Sequence, residues 1–269
     1  MKIFLNKKRL QKFIHKEDNL GFVPTMGALH SGHISLIKKS LNRCNKTIVS
    51  IFINKPQFNK NNDFRKYPRV LKNDISKLKK LKIDYLYTPI EKDIYPKGPN
   101  TKIKINSFSK KLCGKFRKGH FEAVADVIDR FIRIIRPKKI YFGEKDMQQL
   151  KIIENFVKKN YANIDIVGCK TIREKSGIAY SSRNLLLSNR EKKIAAKVYK
   201  LLFYKKSNLI KKNISIKSLK SKILKIGVKK IDYLEILNIN KINKPYKKNR
   251  KYRIFIAYYL GSTRLIDNI

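Results

Sequence analysis

The sequence predicts an α/β protein, with a parallel-sheet domain followed by a smaller C-terminal α+β domain. Three observations carry this reading. Through the first two thirds of the chain, apolar runs of strand length alternate with amphipathic helical stretches, and strands alternating with helices of this length imply βαβ units and a parallel sheet. Turn residues bound the apolar runs. From about residue 176 the order changes to two helical stretches followed by two strand-like runs, which suits a separate, smaller domain.

Taken in order, LGFVP (residues 20–24) and TIVSIFIN (residues 47–54) read as buried strands. Between them, HISLIKKSLNRC places Ile34, Leu36, Ile37 and Leu41 at the spacing of an amphipathic helix. LKNDISKLKKL is helical and leads to a strand in IDYLYTP, residues 83–89. Between Phe121 and Ile135, the positions of Val124, Val127, Ile128, Phe131 and Ile132 mark another helix. KKIYFG then reads as a strand, DMQQLKIIENFVKK as a helix and IDIVGC as a further strand. The domain boundary falls at residues 172/173. Beyond it come helical stretches over residues 188–212 and 215–226, then the strand-like IDYLEILNI and YRIFIAYYL. There is no internal repeat, and lysine bias is the sole low-complexity feature.

With 269 residues and 42% hydrophobic content, the chain can bury a substantial core. It holds no run of about 18 uncharged apolar residues, so a membrane span is not expected. MKIFLNKKRLQKF has too short an apolar stretch and too many lysines for a cleaved signal. Cys44, Cys113 and Cys169 form no C-x-x-C pair and are odd in number, which suits a reduced, cytoplasmic protein. The formal charge of +46 raises the possibility of a polyanion partner. The lysines are spread along the whole chain and rise together with Asn and Ile, which reads as compositional drift. No specific nucleic-acid partner is expected, although anionic ligands are favoured in general.

In parallel sheets, ligands bind beyond the carboxyl ends of the strands, where strand order reverses. The informative motifs closely follow strand candidates. In FVPTMGALHSGHISLI, His30 and His33 stand three apart at a helix start, on one face. Gly27 and Gly32 would allow close approach to a backbone whose first N–H groups are free, an arrangement suited to phosphate. A structural pair of histidines is the second reading. A metal site is the third, with His15 and His120 the remaining histidines and no supporting cysteine or carboxylate cluster.

PTMGALHSGH resembles the nucleotide-binding signature of the pantoate–β-alanine ligase (pantothenate synthetase) family, within the H-x-G-H nucleotidyltransferases. The resemblance recurs in order through VSIFINKPQF, YPR (residues 67–69), GHFEAVADVI, YFGEKDMQQL, TIREKSGIAYSSRNLLLS and GSTRLIDN, and so covers nearly the whole chain. It implies a Rossmann-like first domain and a closing C-terminal domain. It also implies a homodimer and an ATP-dependent amide ligation with ATP, pantoate and β-alanine as substrates. Pantoate carboxylate would attack the α-phosphate, leaving pantoyl adenylate, from which β-alanine would displace AMP.

The resemblance also implies residue roles. Met26, Gly27, Ala28, Leu29, His30, Ser31, Gly32 and His33 match the ATP-binding block, with His30 and His33 on the phosphates and His33 as proton donor. Gly143, Glu144, Lys145 and Asp146 match a second block, in which Lys145 supplies charge and Gly143 admits the nucleotide. Tyr180, Ser181, Ser182 and Arg183 match a mobile phosphate loop, and Ile172 the backbone contact to adenine. Gln57 and Gln149 match the pantoate-binding glutamines, Gln57 also serving β-alanine, with Asn54 and Tyr67 as weaker candidates. Mg²⁺ is expected with ATP, with Asp74 its foremost protein contact and Asp146 the second.

The chain departs from the family at several points. The proline of NKPQF is shifted by one place, which puts the loop aiming Gln57 in question. Lys118 stands where proline is common, and Ser176 and Tyr180 replace an aspartate and a smaller apolar residue. Two other readings remain at this point. One is a different adenylyltransferase using the same cations, and the other is a nucleic-acid binder without enzymatic activity.

Overall fold

The computed structural model describes residues 1–211, 213–239 and 252–269. They fall into two compact units, Met1–Thr171 and Ile172–Ile269.

The first unit opens with β1 (Lys2–Phe4) and α1 (Lys7–Ile14), then β2 (Leu20–Thr25), α2 (Ser31–Leu41) and β3 (Lys46–Ile51). Helices α3 (Asn61–Lys66) and α4 (Leu71–Lys80) lead to β4 (Tyr85–Tyr87), followed by α5 (Glu91–Ile94) and α6 (Cys113–Phe116). The unit ends with α7 (His120–Ile135), β5 (Lys139–Gly143), α8 (Met147–Asn160) and β6 (Asp165–Cys169). The six strands form one sheet in the order β1-β4-β3-β2-β5-β6, every pair parallel.

A central parallel strand must bury both faces, and β2 does so: Phe22 and Val23 are each fully shielded although they point to opposite sides. On one side the Phe131 ring of α7 meets Phe22, Phe52 and Tyr87 at centroid distances of 5.4, 6.1 and 6.1 Å. On the other, Leu36 and Ile37 of α2 and Leu78 of α4 close over Val23, Val49 and Leu86. The chain builds outward from β2 to β3 and β4, then returns to the opposite side of β2 for β5 and β6. Strand order therefore reverses between β2 and β5, so the loops leaving these two strands frame the crevice of an α/β sheet.

The structure adjusts several expected boundaries. Strand β3 stops at Ile51, because residues 55–57 turn into a short 3₁₀ segment containing Pro56. Strand β4 spans three residues only. The N-terminal stretch forms β1 and α1, and GSTRLIDN contributes a strand that the pattern did not suggest.

In the second unit, α9 (Asn189–Ile210) begins at a capping box in which Ser188 and Glu191 satisfy each other's backbone N–H groups. Helix α10 (Ile216–Lys225) and the antiparallel sheet β7 (Lys230–Asn238), β8 (Tyr252–Leu260) and β9 (Thr263–Asn268) follow. Leu202, Leu219, Ile223, Leu234, Ile254 and Ile256 form their shared core. The expected end of the long helix at Lys212 lies outside the described residues. No helix among the described residues is long and apolar enough to cross a membrane.

Candidate functional site

The chain leaves β2 through a tight, internally bonded loop. Gly27 and Ala28 both have positive φ, +81° and +48°, a region that costs a non-glycine residue on the order of 1 kcal/mol. The Gly27 N–H donates to Thr25 Oγ1 at 3.2 Å. Those of Ala28 and Leu29 donate to the two carboxylate oxygens of Asp74, each at 2.8 Å. A Cβ on Gly27 would meet Asp74 Oδ2 at 3.1 Å and Ile51 Cγ2 at 3.2 Å. These three amides hold the loop to the protein. Among the described residues, the amides of Ser31 and His33 in the first turn of α2 have no internal acceptor.

His30 is the N-cap of α2, and its Nδ1 accepts from the Gly32 N–H at 3.1 Å. That fixes the tautomer with hydrogen on Nε2 in the neutral ring. The His33 ring stacks on it with centroids 4.0 Å apart and planes 26° from parallel. His33 Nδ1 is closed off from solvent with no hydrogen-bond partner, the kind of buried polar atom that calls for a ligand or water. Burial first, then the Lys145 ammonium, lowers the His30 pKa to about 4. Burial, the adjacent His30, Lys145 and Lys77 push His33 well below the usual histidine range. Both rings are therefore neutral near pH 7 and offer N–H dipoles. The proton donor expected at residue 33 is, before any anion binds, an uncharged hydrogen-bond donor.

These lowered values have a thermodynamic consequence. Above pH 6.5 the histidines are neutral in folded and unfolded chains alike. As pH falls from 6.5 towards about 4, the unfolded chain takes up a proton that folded His30 does not, so stability declines through that window. Urea unfolding across the window should show a shallower decline in His30→Asn, which keeps an N-cap acceptor. The expected change is up to one proton in the slope. An unaltered slope would contradict the neutral pair.

Lys145 follows β5 in a short 3₁₀ segment, its side chain 18% exposed and its Nζ 3.6 Å from Asp146 Oδ1. Its charge reaches both histidines. A Cβ placed on Gly143 would meet nothing within 4 Å, so space is open in front of that backbone. Glu144 completes the segment, half-buried.

Asp74, expected as a metal contact, supports the loop after β2. It is 1% exposed, and both oxygens already accept loop amides. Among the described residues no three His, Cys, Asp or Glu side chains converge as a protein-built metal site requires. A Mg²⁺ ion carried on nucleotide phosphates needs few protein ligands, and Asp146, with a side chain 45% exposed, fits that lesser role.

Gln57 reaches the same loop despite the shifted proline. Phe58 N–H closes the turn on Lys55 O at 3.0 Å, and Gln57 Nε2 donates to Met26 Sδ at 2.9 Å. Asn54, 1% exposed, donates to Gln57 Oε1 and Ala123 O and accepts from Tyr95 Oη at 2.6 Å. The Gln57 carbonyl accepts from His120 Nδ1 at 2.8 Å and Arg117 at 3.1 Å. Sequence reasoning missed Tyr95, Arg117 and His120 as supports of this glutamine. Tyr67 is buried against Phe58, and Arg69 binds the carbonyls of Phe64, Arg65 and Tyr67, so the YPR block locks the end of α3. In α8, Gln148 is buried and tied to Cys113, Phe108 and Lys111. Half-buried Gln149 makes no side-chain hydrogen bond among the described residues.

The remaining candidates belong to the second unit. The Ile172 carbonyl accepts from Tyr180 N–H at 3.1 Å. Ser181 caps the 3₁₀ segment Ser182–Leu186 by accepting from Arg183 N–H, Ser182 is buried, and Arg183 is half-buried. Arg173 steadies the preceding turn through a bidentate pair with Asp267 at 2.7 and 2.9 Å and a bond to Gly177 O. A Cβ on Gly177, at φ +92°, would lie 2.0 Å from the Tyr199 ring. The Ser176 that departs from the family pattern accepts from Ile178 N–H at 3.5 Å within that turn.

Comparison with known proteins extends this picture. A family model described as pantoate-beta-alanine ligase matches residues 2–269. The chain is 43% identical over 260 residues to a pantothenate synthetase of Sulfurihydrogenibium sp. (strain YO3AOP1), covering 93% of this chain and 91% of the relative. It is 40% identical over 272 residues to that of Caldicellulosiruptor saccharolyticus, covering 100% and 97%. The crystal structure of pantothenate synthetase from Thermus thermophilus superposes with a TM-score of 0.92 at 30% identity, covering 100% of this chain and 99% of that one. The pantoate-beta-alanine ligase of Francisella tularensis, solved in complex with beta-gamma ATP and beta-alanine, superposes with a TM-score of 0.86 at 38% identity, covering 100% and 97%.

Proposed function

The chain belongs to the pantoate–β-alanine ligase family, and from that membership we propose that it activates pantoate as an acyl adenylate and transfers the acyl group to β-alanine. A free carboxylate is a poor electrophile. One of its oxygens attacks the α-phosphorus of ATP, the bond to diphosphate breaks, and pantoyl adenylate forms. The β-alanine amine then adds to the acyl carbon, loses a proton, and expels AMP to leave pantothenate.

The observation that carries this reading is the neutral, stacked His30–His33 pair with its buried, unpartnered nitrogen, beside Lys145 at the strand-order reversal. Uncharged N–H donors gain strength as negative charge builds at the phosphate, and Lys145 supplies the fixed positive charge. In the second unit, the family resemblance assigns Arg183, Ser181 and Ser182 to phosphate binding and Ile172 to adenine. Gln57 and Gln149 bind pantoate. Amides suit that task because an ion pair would blunt the carboxylate that has to attack. Asp146 would hold a Mg²⁺ ion carried on the triphosphate, which would screen its charge. The homodimer implied by the family resemblance belongs to the same proposal.

Incubation with ATP, pantoate and β-alanine tests the reading. Pantothenate, AMP and diphosphate are expected in equal amounts. AMP without pantothenate would point to another adenylyltransferase. Steeply salt-dependent duplex binding that persists in His33→Ala, without ligation, would point to a nucleic-acid binder.

A further inference from the structure

Helix α4 faces the loop after β2 with an acid and a base. Asp74 and Lys77 are three residues apart and so share a face of the helix. Asp74 accepts the N–H groups of Ala28 and Leu29, and Lys77 Nζ donates to the Leu29 carbonyl at 2.6 Å. One peptide segment is thus held by its donors and its acceptor together, immediately before His30. The segment needs holding, because Ala28 sits in the left-handed region. The chain carries 65 lysines and arginines, most of them suited to solvated faces. Lys39 and Lys139 also donate to backbone carbonyls, at 3.2 and 3.4 Å, but the 2.6 Å bond of Lys77 falls on the loop that leads into His30.

We propose that Lys77 is a positioning residue of the phosphate site, fixing the peptide that carries the histidine pair and adding a second cation to that of Lys145. The proposal rests on the ligase reading above. Its electrostatic half has an independent correlate. Among the described residues, the charged and titratable groups acting on His30 include Lys145, Asp146 and Lys77, and those acting on His33 include His30, Lys145 and Lys77. Lys77 thus acts on both rings.

The test uses the full-length protein with Lys77→Met and Lys77→Arg. Imidazole titration by NMR in the absence of substrate should show His30 and His33 protonating at higher pH in Lys77→Met than in the parent. ATP should bind about tenfold more weakly, the scale of one charge-assisted hydrogen bond. Lys77→Arg should restore most of both. A Lys77→Met protein that melts earlier yet keeps parental histidine titrations and ATP affinity would overturn the proposal, since a merely structural clamp would behave that way. The titration requires no turnover. A parent protein that made no pantothenate would refute the ligase reading, while the histidine shifts would still decide the role of Lys77.

Discussion

Replacing His33 with alanine is expected to lower turnover by roughly 10²–10³-fold, the scale of losing one donor aimed at developing charge, while ATP affinity changes far less. The ring is stacked on His30 and neutral because burial, His30, Lys145 and Lys77 all oppose its protonation. Its N–H therefore contributes little to a ground state already held by cations, and most once the α-phosphate acquires the charge of the attacked state. Steady-state AMP release and calorimetric ATP binding separate the two effects. Near-normal turnover would assign the pair a structural role instead.

Lys145→Ala should have an effect of comparable size on the first half of the reaction, slowing diphosphate release by roughly 10²-fold or more. The ammonium is mostly shielded, with Asp146 as a neighbour at 3.6 Å. It is held at the carboxyl end of β5, across the strand-order reversal from the histidines. Lys145→Arg should recover only part of the rate, because a planar fork replaces a compact point charge. Rapid-quench measurement of diphosphate is the check, and an unchanged burst rate would reject the role.

Most of the first sheet was legible in the sequence because its signals are local. Strand β2, α2, α7, β5 and α8 each carry an uninterrupted apolar period, and the loops after β2 and β5 carry the motifs. Short or charged elements were not. Strand β1 has three residues, and α1 buries only Leu10 and Ile14 among its lysines and arginine. Long-range pairings were least visible. Nothing near Asp74 in the chain announces that its carboxylate will meet amides 45 and 46 positions away, so its support of the loop was not legible. Gln148 and Gln149 are identical neighbours with different surroundings, because successive helical residues point about 100° apart. One is buried in backbone contacts and the other is left with its amide unbonded among the described residues. Only packing distinguishes them.

The claim on which the mechanism turns is that the acid is activated on phosphorus before the amine attacks carbon. Pantoate labelled with ¹⁸O in its carboxylate, turned over with ATP and β-alanine, tests it directly by mass spectrometry of the AMP. One labelled oxygen in each AMP is the expected result, because the oxygen that attacks the α-phosphorus leaves with it. Unlabelled AMP accompanying labelled pantothenate would contradict the account.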